Sequence, residues 1–153
     1  MEQNLEYRKQ LIQKYRADVE PLLEFLPWFE SKSGQTTSYQ YKDERFGEHS
    51  LSFPVYDSTL MKFIKAVEKT SLLDRNYVYV YSRNRLRTSA DERALIAKSD
   101  LWDAKNLNGI LSRYVMGGRT KGWLWTLGVQ EDIYLLLLKK WKEILDIWDG
   151  PLA

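Results

Sequence analysis

A chain of 153 residues fits a single domain spanning 1–153, long enough to bury roughly 68–70% of its unfolded surface without a disulfide or metal staple. Hydrophobic residues at 44% and aromatics at 14% predict a real core, and the lack of cysteine excludes disulfides, thiolate nucleophiles and Cys-ligated zinc together. The net charge of +2 conceals an asymmetry: Asp18–Asp57 holds eight acids against Lys32, Lys42 and Arg45, whereas Arg75–Lys121 holds ten bases against Asp91, Glu92, Asp100 and Asp103. Either the two halves attract each other or a second copy, or the basic half meets an anionic partner.

The opening MEQNLEYRKQLIQKYR is charged throughout and carries no apolar signal-peptide core. Leu5, Leu11, Ile12 and Tyr15 recur at helical spacing and predict an amphipathic helix over 4–16. Asp18 caps a second helix with Pro21 in its first turn and a stripe of Val19, Leu22, Leu23, Leu26 and Phe29, which Pro27 should interrupt. After SKSGQTTS, the alternations Thr37-Tyr39-Tyr41 and Leu51-Phe53-Val55 flank DERFGE and predict a β-hairpin, with Pro54 placing the second strand at an edge.

Asp57 or Ser58 caps the next helix, whose buried face is Leu60, Phe63, Ile64 and Val67. Tyr77–Tyr81 alternates strictly and predicts a strand. Ser89 and Glu92 match a capping box for a helix through Lys98. Asp100 caps another, with Leu107, Ile110, Leu111, Tyr114 and Val115 inward and Gly117 as its left-handed stop. TKGWLWTLGV alternates again, with Trp123, Trp125, Leu127 and Val129 on one parity. A long last helix runs from about residue 130 with the stripe Tyr134, Leu137, Leu138, Trp141, Leu145 and Trp148. The longest aliphatic run, Leu135–Leu138, is far short of the ~20 residues of a membrane span. The expected class is α+β: a single mostly helical domain with a small antiparallel sheet and a long C-terminal helix, cytoplasmic and not bound to a membrane.

Few motifs carry chemistry. His49, the one histidine, lies among polar neighbours without a nucleophile-elbow sequence. The acids come in pairs (Asp91-Glu92, Asp100 with Asp103, Glu131-Asp132) that suit helix termini before they suit a metal. GGRTKG at 117–122 lacks the strand before it and the G-K-[ST] order of a phosphate loop. No cofactor or metal is expected, and a catalytic role would need His49 or a carboxylate pair assembled by the fold.

NYVYVYSRNRLR, residues 76–87, is the distinctive stretch. As one strand it sets Tyr77, Tyr79, Tyr81, Arg83, Arg85 and Arg87 on a single face, combining rings that stack bases with guanidinium groups that pair with phosphates. The plainer alternative is a strand ending near Ser82-Arg83-Asn84 and running out into a solvated loop.

The pieces NYVYVYSRNRLRTSADERALI, ILSRYV, GGRTKG and the closing helix, over residues 75–147, resemble a family of short bacterial proteins, common in Firmicutes and their mobile elements, that is known only as a domain of unknown function. The resemblance implies no activity and no catalytic residues. From the charge asymmetry and the Tyr/Arg alternation, the expected function is a non-catalytic binding protein engaging nucleic acid or a nucleic-acid-handling protein. Arg83, Arg85, Arg87, Arg119 and Lys121 would contact the anion, and Tyr77, Tyr79 and Trp123 would supply flat apolar area. A protein–protein module or homodimer, rich in Trp, Tyr and Arg, is the alternative.

Overall fold

The computed structural model describes residues 2–35, 38–42 and 52–149, with side chains described for 6–35 and 56–147. The first helix, α1 (Glu2–Leu23), runs straight through the boundary expected near residue 17. Nothing between Arg16 and Val19 breaks it, and Pro21 falls in its last turn, where it removes only one backbone bond. Asp18, expected as a cap, lies within the helix; its carboxylate accepts from the Ser71 hydroxyl and, at 3.4 Å, the Ser71 backbone N–H. Pro27 does not interrupt a helix but begins α2 (Leu26–Ser31), because a first-turn residue has no intrahelical use for an N–H.

Strands β1 (Ser38–Lys42) and β2 (Ser52–Tyr56) pair antiparallel, from Ser38 against Tyr56 to Lys42 against Ser52. They form an isolated two-strand ribbon, an assembly of marginal stability on its own. The α+β class built on a small sheet is therefore corrected: the described core is made by packed helices, and the protein is mostly helical.

Helix α3 (Ser58–Glu68) is capped by Asp57, which accepts from Thr59 N–H at 2.7 Å, and it buries Leu60, Phe63, Ile64 and Val67. Two further stretches expected to be extended are helical. Tyr77–Tyr81 belongs to α4 (Tyr77–Arg83), and WLWTLGV belongs to α7 (Trp123–Gln130). Between them lie α5 (Ser89–Lys98), a 3-10 turn (Leu101–Asp103) and α6 (Ala104–Gly117). The last is α8 (Ile133–Asp149), whose Tyr134, Leu137, Leu138, Trp141 and Leu145 are buried as their spacing predicts; the Trp148 side chain lies outside the described residues.

Two close approaches explain the helical outcome. Val80 of α4 sits where a Cβ on Gly109 would be, 2.7 Å from its Cγ2, so α4 lies directly on α6 and its β-favouring tyrosines are overruled by packing. Gly117 is the last residue of α6 rather than a left-handed stop; a Cβ there would lie 2.8 Å from Leu124 Cδ1 of α7. Trp125 donates its indole N–H to the Val115 carbonyl at 3.0 Å and is buried. Trp123, two residues away and so about 200° round the helix, is exposed.

Helix α8 packs against α1, α2, α5, α6 and α7. At the centre, Phe29 meets Phe63 edge-on at 4.8 Å, and Tyr134 lies 5.1 Å from Phe63 and 6.0 Å from Tyr114. The α7–α8 turn passes through Asp132 at φ 61°, and its carboxylate accepts from Ser33 Oγ at 2.8 Å and Gly34 N–H at 3.3 Å. No described helix is long and apolar enough to cross a membrane.

Candidate nucleic-acid interface

Helical geometry redistributes the side chains of NYVYVYSRNRLR. Residues two apart on a helix point about 200° apart, whereas residues four apart share a face. Tyr77 and Tyr81 therefore lie on one side of α4, half-buried, and Tyr79 lies on the other, 68% exposed, one turn before Arg83. The helix ends at Asn84, and Arg85 turns the chain at φ 55°, with Leu86 N–H donating to the Tyr81 carbonyl at 2.9 Å. The single Tyr/Arg face thus becomes two surfaces on opposite sides of α4.

The larger surface is a groove of about 820 Å³ between α4 and the start of α6, lined by Arg75, Tyr79, Val80, Arg83, Lys105 and Asn106 among others. It continues into a second hollow of about 400 Å³ that shares Arg83, Lys105 and Asn106 and adds Asn84, Lys98 and Trp102. Asn84 bridges the wall, donating to the Val80 carbonyl at 2.9 Å and Asn106 Oδ1 at 3.2 Å. Trp102 is 54% exposed, yet held in place by Tyr7 stacked 6.3 Å away and by the Arg8 guanidinium 5.3 Å from its ring.

Arg75, Arg83, Lys98 and Lys105 bring four cations to this groove, and among the described residues none has a carboxylate within 4.0 Å. Asp74 and Asp103 also line these hollows, and their carboxylates accept from backbone N–H groups, Asp74 from Asn76 at 2.8 Å and Asp103 from Asp100 at 3.1 Å. Unpaired positive charge beside exposed rings is what an anionic, base-bearing chain requires.

On the other side, Tyr81 turns inward to Glu92, which the sequence assigned to a capping box. Thr88, not Ser89, caps α5, in a box closed by Asp91, with Asp91 N–H donating to Thr88 Oγ1 at 3.2 Å. Backbone N–H groups of Arg87 and Thr88 hold the Asp91 carboxyl below its ordinary range. Glu92 is thereby released from capping and joins Leu95 and Ile96 on the buried face, only 2% exposed. Its carboxylate accepts from Tyr114 Oη at 2.6 Å, from Arg113 Nη1 at 3.2 Å and from the Tyr81 hydroxyl. Burial, reinforced by the adjacent Glu92, pushes both phenols well above their ordinary value. The signal was present: T-x-x-D and S-x-x-E are offset by one residue, and the first leaves Glu92 three and four positions before two apolar residues.

This cluster floors a cleft of about 340 Å³ whose rim carries Leu86, Arg87, Trp123 and Leu127. The structure thus groups Tyr79 with Arg83 in the groove, and Arg87 with Trp123 in the cleft. Tyr77 is beside Gly117, Arg85 and Lys121 are exposed and line neither hollow, and Arg119 is engaged by Glu68, Nε to Oε2 at 2.9 Å, and lies 5.7 Å from the Trp125 ring. The GGRTKG turn is followed by α7 rather than by an extended segment, while α6 still precedes it. His49 lies outside the described residues. Among the described residues no three acids or histidines gather as a metal site. Comparison with protein-family models, with curated proteins and with solved structures gave no significant match.

Proposed function

We propose that the protein is a non-catalytic, cytoplasmic binding protein that holds single-stranded nucleic acid in the groove between α4 and the start of α6. The observation that carries this reading is the convergence of four cations without acidic partners, Arg75, Arg83, Lys98 and Lys105, on a hollow flanked by exposed Tyr79 and Trp102. A concave surface with exposed rings suits unstacked bases; a duplex would bury those rings' partners within its own stack. Arg75, Arg83, Lys98 and Lys105 neutralise phosphates, and Tyr79 and Trp102 stack on bases.

Fluorescence anisotropy of a labelled oligonucleotide tests it. Four phosphate contacts give a slope of about −3 for log K against log salt on a single strand, and Arg83→Ala/Lys105→Ala should reduce that slope to about half. Unchanged affinity and slope in the double variant would remove the groove from the interaction. The adjoining Val78, 66% exposed beside Tyr79, favours a second reading, in which an acidic protein segment occupies the same groove. Competition between that class of peptide and the oligonucleotide separates the two.

A further inference from the structure

We infer that the cleft on the opposite side of α4, floored by the Glu92 cluster, is a separate binding site for a nucleoside monophosphate. Arg113 is a fixed cation here: one N–H donates to the buried Glu92 at 3.2 Å, and its guanidinium lies 5.3 Å and 5.2 Å from the Tyr81 and Tyr114 ring centroids. Glu92 accepts three hydrogen bonds, two on Oε2 and one on Oε1, so most of its acceptor capacity is spent on its own neighbours. Its effect is to pin Arg113, whose side chain remains 31% exposed, with donors left over. A guanidinium fixed before the ligand arrives loses little freedom on binding, which is where a preorganised site gains affinity.

The rim supplies the other two requirements. Arg87 gives a second guanidinium, which is in no ion pair among the described residues, although Asp91 accepts from the Arg87 backbone N–H at 3.0 Å. Trp123, 55% exposed above Leu86 and Leu127, gives a flat apolar wall. Two guanidinium groups suit a phosphate dianion, and an indole beside aliphatic side chains suits a purine ring. A volume near 340 Å³ is at the small end of ligand pockets and accommodates one nucleotide rather than a strand. The site shares no lining residue with the groove, so it stands or falls independently of the strand-binding reading.

Isothermal titration with AMP, adenosine and inorganic phosphate tests the inference. AMP should bind saturably, more tightly than adenosine or phosphate alone. Arg87→Ala and Trp123→Ala, both surface changes, should each weaken AMP by about tenfold, the loss expected for a charge-assisted or stacking contact. Arg83→Ala/Lys105→Ala should leave AMP affinity unchanged. Absence of AMP binding at millimolar concentration, equal binding of adenosine, or indifference to Arg87→Ala and Trp123→Ala would each overturn the assignment. Loss of AMP binding in Arg83→Ala/Lys105→Ala with the cleft variants unaffected would do so too, by placing the ligand in the groove.

Discussion

Replacing Glu92 by glutamine changes almost no volume and so isolates the charge on which the second surface rests. The carboxylate accepts three bonds from Tyr81, Tyr114 and Arg113, and it is nearly fully buried. An amide oxygen can keep the Tyr81 and Arg113 bonds, but its NH₂ can only donate to the Tyr114 hydroxyl, whose own proton then loses its acceptor. Charge-assisted bonds contribute about 1.5–3 kcal/mol against about 0.5–1.5 for neutral ones, and a stranded buried donor costs about 1–3 kcal/mol. Arg113 is partly solvated and its share is discounted. The total comes to about 3 kcal/mol, which at this chain length lowers Tm by roughly 6–12 °C. Urea unfolding of Glu92→Gln, Tyr114→Phe and the double variant measures it, and the double variant should fall short of additivity by about 1 kcal/mol or more. A loss below about 1 kcal/mol with full additivity would show that the cluster is not a cooperative network.

Alkaline pH should destabilise the protein steeply. Burial raises Tyr81, Tyr114 and Tyr134 above the ordinary value of 10.0, so past that pH the unfolded chain releases protons that the folded chain keeps. Stability is complete below about pH 10 and falls above it, and Tyr114→Phe should flatten that fall by about 1.4 kcal/mol per pH unit in urea titrations at successive pH values. Gly109→Ala drives a Cβ to 2.7 Å from Val80 Cγ2 and prises α4 from α6; we expect a cost of about 1–3 kcal/mol in thermal melts and weaker oligonucleotide binding in the same preparation. Arg85→Gly relieves a left-handed turn at φ 55° and should stabilise by about 1 kcal/mol while leaving both oligonucleotide and AMP affinity unchanged, because Arg85 lines neither hollow.

What the sequence disclosed followed the reach of its local signals. The apolar faces of α3, α6 and α8 are readable because i, i+3, i+4 spacing has one meaning over eleven or more residues. YVYVY and WLWTLGV are short, and Tyr77 and Tyr81 fall on one side in a strand and in a helix alike. What decides between the two is Gly109, more than two dozen residues away, which no local pattern reveals. The expected α+β class failed at that point. The groove was half visible: Tyr79 and Arg83 belong to it, but Arg75, Lys98, Trp102 and Lys105 arrive from separate segments and meet only through packing. Glu92 was hidden by an ambiguity of one residue between two capping boxes.

The position of α8 also bears on how the molecule is made. Five other helices rest on it, and every one of them precedes it in the chain. While synthesis proceeds from α1 towards α7, the faces of α1 and α2 that rest on α8 lack that partner, although Phe29 can already meet Phe63 of α3. Contacts so distant along the sequence slow folding, because a long loop must close before they stabilise anything. The nascent chain therefore carries its aromatic centre incomplete, without Tyr134, until α8 leaves the ribosome, and chaperone dependence during translation should exceed that of the finished protein.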